Sequence, residues 1–299
     1  MEFGKLEAHE LELLDLTLPA DHKQTTAVLK KSKAKKTTFH IGCAKWGRPD
    51  WIGKIYPKGT KAANFLDEYA KQFNCIESNG FFYQLPTKTQ IQTWLKKVPA
   101  DFIFCPKFSG VITHNKRLKN IEPELNHFLD IINELGPQLG PVFLMPHPQM
   151  GAKHFDTIAA FMDAVPKDIE MMMEFRHTDW YANPQCDQMY ELMEAKGRGS
   201  VITDAAGRRD CAHMRLTSST AFIRFVGNSL HATDYQRIDD WVVRLKSWME
   251  QGLENCYFFM HQHDELYSPE LCKYLIVQLN EKCGQNIPVP RFVNDNQLF

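Results

Sequence analysis

From residue 38 onward, two hydrophobic rhythms alternate along the chain. Short, β-prone apolar runs fall at residues 39–43, 75–78, 102–106, 142–145, 169–173, 200–203, 221–225 and 256–260. Near-continuous apolar runs of this length predict strands buried on both faces. Successive runs begin roughly 31 residues apart, about one strand-plus-helix unit.

Most of the intervening stretches carry a helical period. Phe65, Leu66, Tyr69, Ala70 and Phe73 form one apolar face, and Leu125, Phe128, Leu129, Ile132 and Leu135 form another, ended by Gly136 and Pro137. Phe155, Ile158, Ala159 and Met162 follow the same spacing. Thr87 with Gln90 reads as a capping box ahead of Ile91, Trp94 and Leu95. Asn183-Pro184 and Ser268-Pro269 read as N-cap-plus-proline helix starts. Ile238, Trp241, Val242, Leu245, Trp248 and Met249 make the strongest amphipathic face. Between the sixth and seventh runs, residues 206–215 suit a loop or turn better than a helix. Eight alternating units therefore predict a single (β/α)₈ TIM-type barrel over residues 38–299, with an irregular link between strands six and seven. A doubly wound open sheet is the alternative, but no glycine-rich dinucleotide fingerprint follows any strand. Residues 1–37 read as an N-terminal arm. Its leucine-rich acidic part is expected to pack on the domain, and its lysines (Lys30, Lys31, Lys33, Lys35, Lys36) are expected to form a solvated linker.

Composition narrows the class. The 299 residues are 43% hydrophobic and 24% charged, with a formal net charge of −1, so no global field favours nucleic acid or anionic membrane. No apolar run reaches the roughly 18–20 residues of a membrane helix. The first residues lack the layout of a signal peptide. The eight cysteines are scattered without a paired motif. Together these predict a reduced, cytoplasmic protein with no membrane partner.

In a barrel, the residues at the C-terminal ends of the strands converge on one face. The stretch from Ile169 to Trp180 is apolar at first and then carries Glu174, Arg176, His177 and Asp179. Other strand ends carry Trp46, Glu77, Asn79, Tyr83, Lys107, His114, Asp204, Arg224, His261 and His263. Glu77, Lys107, Glu174 and Arg224 fall within or at the edge of apolar runs. Burying a charge costs several kcal/mol unless it is paired. They are therefore either structural ion pairs, such as Glu77 with Lys107 or Glu174 with Arg224, or a catalytic constellation with shifted pKa values.

Several of these segments resemble one family. They are Ile41 through Trp46 with Pro49, Asp50, Trp51, Tyr56 and Pro57; Ile76, Glu77 and Asn79 with Phe82 and Tyr83; Phe104 through Lys107 with Ile112, Thr113, His114, Arg117 and Leu118; and Glu174, Phe175, Arg176 and His177 with Trp180. In that order they resemble the DUF72, or YecE-like, family over about residues 39–260. The resemblance implies a TIM-type barrel in a cytosolic protein and carries no assigned reaction. Two places depart from the family pattern. The fourth strand leads into Leu144, Met145, Pro146, His147 and Pro148 instead of a Gln-Leu-Pro-Pro-like segment, and the last ends in His261, Gln262 and His263 instead of paired asparagines.

Three chemistries fit the strand ends. The first is an enzyme, hydrolase- or lyase-like, acting without a cofactor on a small anionic substrate, a class that includes phosphorylated compounds. Glu174, Glu77, His177 and Asp204 would serve as acid/base groups, and Lys107, Arg176, Arg224, Asn79, Trp46, Tyr83 and His114 would bind substrate. The second is a divalent-metal site built on His261 and His263 with Glu174, Glu77 or Asp204, since alternate residues of an extended strand share a side. The third is single-stranded nucleic-acid binding or a nuclease. Here Trp46, Trp51, Phe81, Phe82, Tyr83 and Trp180 would stack bases among Lys45, Arg48, Arg176, Arg208 and Arg209.

Overall fold

All eight predicted strands form: β1 (Thr38–Cys43), β2 (Cys75–Ser78), β3 (Ile103–Pro106), β4 (Val142–Leu144), β5 (Met171–Met173), β6 (Gly199–Ala205), β7 (Thr220–Gly227) and β8 (Asn255–Gln262). The computed structural model describes residues 3–182 and 185–293. The Asn183-Pro184 helix start lies outside the described residues. The other major helices run over Phe65–Ala70, Lys88–Leu95, Glu122–Asn133, Phe155–Ala164, Gln185–Ala195, Ala232–Gln251 and Ser268–Cys283. Thr87 forms the expected capping box with Gln90. Ser268 does not cap its helix. It is already helical, and its hydroxyl donates to Glu265 at 2.8 Å. The link after β6 holds only a 3₁₀ turn at Arg209–Cys211.

Six strands form one curled parallel sheet in the order β1-β8-β7-β6-β5-β4, and β2 and β3 form a separate parallel pair. The expected eight-stranded barrel ladder is therefore interrupted at two seams. Between β3 and β4 only isolated bridges occur, with Gly140 N donating to Phe104 O at 2.8 Å and Phe108 N to Phe143 O at 3.1 Å. Between β1 and β2, side chains replace the backbone ladder. Asn74 Nδ2 donates to Phe39 O at 2.9 Å while its Oδ1 accepts from Ile41 N at 3.0 Å. The Tyr69 hydroxyl accepts from Cys43 N at 2.7 Å and donates to Cys75 O at 2.9 Å. The strands come so close that a Cβ on Gly42 would lie 2.2 Å from Cys75 O, so only glycine fits there.

Strand residues divide by parity between two apolar layers. Cys75, Cys105, Phe143, Met172, Val201, Phe222, Tyr257 and Phe259 pack with one another in a small cluster of strand residues. Their neighbours Ile76, Phe104, Leu144, Met173, Ile202, Ile223 and Phe258 join the large core that includes the helices. Continuing the first parity toward the strand ends gives Glu77, Lys107, Glu174, Thr203, Arg224 and His261. Polar groups from six strands thus fall on one inner face.

The leucine-rich arm packs as expected: Leu11 and Leu16 are buried against Ala206. The Thr25 hydroxyl donates to Met214 O and accepts from Leu216 N, both at 2.9 Å. The five lysines of the run are exposed.

The β1–β2 seam rests on two side chains, which makes it testable. Replacing Asn74 with Ala leaves Phe39 O and Ile41 N without their partner. A loss of about 1–3 kcal/mol is expected in denaturant unfolding, whereas Asn74→Asp, which keeps the acceptor, should cost less.

Candidate functional site

Arg224 occupies the centre of the inner face. Its guanidinium grips Glu77 through Nε and Nη2, both at 2.8 Å, and Glu174 through Nη1 at 2.7 Å. All three residues are buried. Glu77 also accepts from Asn79 Nδ2 at 2.7 Å and lies 3.1 Å from His261 Nε2. Glu174 accepts from the Thr203 hydroxyl at 2.6 Å and pairs with Arg176. On its other side, His261 Nδ1 sits 3.5 Å from Glu265.

These neighbours decide the protonation states. Burial alone would raise the Glu77 carboxyl, but Arg224 and His261 overcome it and hold it well below the carboxylate range. The same contest lowers Glu174, where Arg176 and Arg224 outweigh burial. His261 would be lowered by burial, yet Glu77 raises it above its ordinary value. For Lys107 the contest goes the other way: burial first and Arg224 second push it down to about 8, outweighing Glu174 and Glu77.

Above this floor lies a cavity of about 460 Å³. Its walls include Asn79, Tyr83, Lys107, Arg176 and Arg224 from the sequence-predicted binding set, with His261 and Glu265. Arg176 stands out among them. It is 8% exposed, and its Nε and Nη1 are buried with no hydrogen-bond partner. Only its Nη2 reaches Glu174.

Other candidates lie elsewhere. Asp204 points away, into a second buried cluster with Arg237 at 3.0 Å, Arg209 and the indole nitrogen of Trp241 at 2.8 Å. The sequence placed it at a strand end, but β6 continues to Ala205, so Asp204 faces the helix Ala232–Gln251. His177 turns to the neighbouring loop, 3.4 Å from Asp179. Trp46 packs edge-on to Trp94, and His114 packs edge-on to Phe82 and His147. His263 lies 3.2 Å from Asn228, whereas His261 faces Glu77, so the two histidines serve different partners. Among the described residues no group of three or more His, Cys, Asp or Glu side chains is arranged to hold a metal ion. Of the aromatics expected to stack bases, Trp51, Phe81 and Trp180 are buried, Trp46 and Phe82 are half-buried, and Tyr83 is exposed.

One wall of the cavity comes from an unexpected place. Phe3, in the arm, lies with its ring centre 3.4 Å from the Arg176 guanidinium carbon and 5.1 Å from that of Arg208. Gly207 N donating to Gly4 O at 3.0 Å straps the arm down. Strand periodicity cannot find Phe3, because it lies outside every strand. Parity, however, would have separated Asp204 from Glu77, Lys107, Glu174 and Arg224.

Fold and site together define an α/β protein with a curled parallel sheet and a cationic pocket at its strand ends. The chain belongs to the family described as Protein of unknown function DUF72, whose model matches residues 40–292. It is 26% identical over 280 residues to the UPF0759 protein YecE of Escherichia coli K12, covering 87% of this chain and 100% of that one. It is 25% identical over 167 residues to the UPF0759 protein YunF of Bacillus subtilis 168, covering 53% of this chain and 58% of that one. Among solved structures, a DUF72 family protein of Enterococcus faecalis V583 superposes with a TM-score of 0.63 at 17% identity, over 85% of this chain and 98% of that one. One from Thermotoga maritima MSB8 gives 0.59 at 20% identity, over 83% and 100%. At these identities the solved structures bear on the fold alone.

Removing Arg224 strands two buried carboxylates. Arg224→Met is therefore expected to cost about 3–5 kcal/mol in chemical denaturation, and a loss below about 1 kcal/mol would refute the clamp. The pH dependence has two limbs. Glu77 and Glu174 titrate below their ordinary 4.5, so their stabilisation is complete above that value and disappears as pH falls through their folded values. His261 titrates above its ordinary 6.5, so its contribution is complete below 6.5 and is lost as pH rises. In Glu77→Gln, both the acid limb and the His261 limb should flatten in unfolding curves measured across pH.

Proposed function

We propose that this pocket is the active site of an enzyme acting on a small anionic substrate, phosphorylated or carboxylated, by hydrolytic or lyase-type proton transfer. In this reading the two sheets act together as a (β/α)₈ barrel, with the substrate at its C-terminal mouth. The observation that carries it is Arg176. Two guanidinium nitrogens buried without partners are costly to leave unsatisfied, and their residue lines a cavity of substrate size. Phe3 covers the face of this guanidinium, and the unpartnered Nε and Nη1 lie along its edge. An oxyanion is the acceptor that edge fits, through paired charge-assisted hydrogen bonds.

The roles within the site divide by what each group has free. Every oxygen of Glu77 and Glu174 already accepts from a donor, so these carboxylates position Arg224, Arg176 and His261. Lys107, with its pKa near 8, is the group placed to take up and release a proton near neutrality. Asn79 and Tyr83 shape the wall. His177 and Asp204 have no part at the cavity. The burial of three of the six mouth aromatics favours a small molecule over a nucleic-acid strand, whose bases need open aromatic faces. The eight free cysteines accord with a reducing, cytoplasmic setting. No described helix is long and apolar enough to cross a membrane.

Titration of the protein with inorganic phosphate, and separately with acetate, tests the reading by calorimetry. Binding should weaken at least about tenfold in Arg176→Gln, the loss of one or more charge-assisted hydrogen bonds. Glu174 keeps Arg224 and Thr203 in that variant, so its circular dichroism should stay native. Absence of binding in the wild type, or equal binding in the variant, would overturn the anion site.

A further inference from the structure

Lys107 differs from the other buried cations of the pocket; Lys45, which also lines it, is exposed. Arg224 and Arg176 are paired with carboxylates, His261 lies between Glu77 and Glu265, and Arg208 grips Asp210 with two bonds at 2.8 Å. Lys107 Nζ has soft neighbours only: Met145 Sδ at 3.8 Å, the Phe82 ring at 4.5 Å and the Phe143 ring at 5.8 Å. Among the described residues no carboxylate is within ion-pair distance of it. The nearby acids that could have paired with it, Glu77 and Glu174, are engaged by Arg224, Arg176, His261, Asn79 and Thr203. Lys107 nonetheless lines the same cavity as Arg176.

We propose that Lys107 is a nucleophilic amine that condenses with the aldehyde or ketone group of the anionic substrate held by Arg176, forming a Schiff base. This rests on the anion-binding reading above and narrows it to carbonyl substrates and lyase-type chemistry. In the step, the neutral Nζ attacks the carbonyl carbon and a C–N bond forms. The carbonyl oxygen departs as water, carrying one hydrogen of the amine and one proton from solution, and leaves a protonated imine. Nothing is oxidised or reduced. Attack of water on the imine reverses the step and frees the lysine. While it lasts, the cationic imine draws electrons from a bond next to the former carbonyl carbon, which favours cleavage or proton loss there.

The surroundings favour the nucleophile. A desolvated lysine beside another cation is the arrangement that yields a reactive amine. With its pKa pushed to about 8, roughly a tenth of Lys107 is neutral at pH 7, on the order of a hundred times the fraction of an ordinary lysine. Phe82 and Phe143 keep the amine in an apolar wall without binding it irreversibly to a carboxylate.

The experiment is reductive trapping on the full chain. The protein is incubated near neutrality with sodium cyanoborohydride and, in separate arms, pyruvate, dihydroxyacetone phosphate or neutral glycolaldehyde. Adducts are located by peptide mass mapping. The expected result is one dominant adduct on Lys107, heavier by the carbonyl compound less one oxygen. Its labelling rate should exceed that of exposed lysines such as Lys119 and Lys153 by about tenfold or more. Lys107→Arg, which keeps the charge, should lose that adduct while binding phosphate. Labelling spread evenly over surface lysines, or unchanged in Lys107→Arg, would overturn the proposal.

Glycolaldehyde separates the two readings because it carries no anion. If it selects Lys107 while pyruvate and dihydroxyacetone phosphate do no better, the amine chemistry stands and the anion site falls. If phosphate binds through Arg176 but none of the three carbonyls selects Lys107, the anion site stands and the Schiff base falls. Arg176→Gln should slow labelling by the two anions and leave glycolaldehyde labelling unchanged.

Discussion

The guanidinium of Arg224, buried between Glu77 and Glu174, is the constraint on which the inner face depends. A charge inside a protein must be paired or neutralised. Here one cation neutralises carboxylates from two different strand ends, and it does so with three hydrogen bonds of 2.7 or 2.8 Å. Because Glu77, Glu174, Arg224 and His261 come from or beside β2, β5, β7 and β8, the clamp fixes four strand ends relative to one another. It joins the two-stranded unit to the six-stranded sheet at a level where the backbone ladder does not.

The same clamp explains why the pocket is cationic. Once Glu77 and Glu174 are saturated by donors, they offer nothing to a substrate. Of the buried cations beside the cavity, what remains is the Nε and Nη1 of Arg176, without hydrogen-bond partners, and the amine of Lys107, without a carboxylate partner among the described residues. The arm adds to this bias. Phe3 stacks on Arg176 and displaces water from its face, so the guanidinium is desolvated on that side and its remaining donors matter more. That contribution comes from residues preceding the stretch matched by the family model, 40–292.

Much of this was legible in the residues because strands buried on both faces leave a strong mark. The eight runs, the capping box at Thr87 and the turn-like link after β6 all follow from local pattern. Charges inside apolar runs pointed to Glu77, Lys107, Glu174 and Arg224, and the pairing of Glu174 with Arg224 was among those anticipated. The pairing of Glu77 with Lys107 was not realised, because Arg224 reaches both acids at once and leaves Lys107 aside. Asp204 misled because β6 runs on through it to Ala205, and standing one residue past inward-facing Thr203 turns it to the opposite face. The ladder breaks at β1–β2 because Asn74 and Tyr69 substitute for backbone partners, which no apolar pattern records. Phe3 was invisible for a related reason: a contact between an arm and a distant strand end has no period.

Charge balance ties the two proposed roles together. Around the cavity, the carboxylates of Glu77, Glu174 and Glu265 face the cationic groups of Arg224, Arg176, His261 and Lys107. With Lys107 and His261 protonated, these groups carry one positive charge more than negative ones; Arg208 is offset by Asp210, and the exposed Lys45 adds to the surplus. Burial first and the neighbouring Arg224 charge second hold the Lys107 pKa near 8, so about a tenth of the amine is neutral at pH 7. A bound anion reduces the excess and would draw a proton back onto the lysine, which by itself would silence a nucleophile. A Schiff base resolves the conflict, because its protonated form carries the same positive charge as the ammonium it replaces. Anion binding then stabilises the covalent intermediate as much as it stabilises the resting cation. The neutral amine is needed only transiently, at the moment of attack, and the same surplus of positive charge that keeps it accessible recruits the substrate.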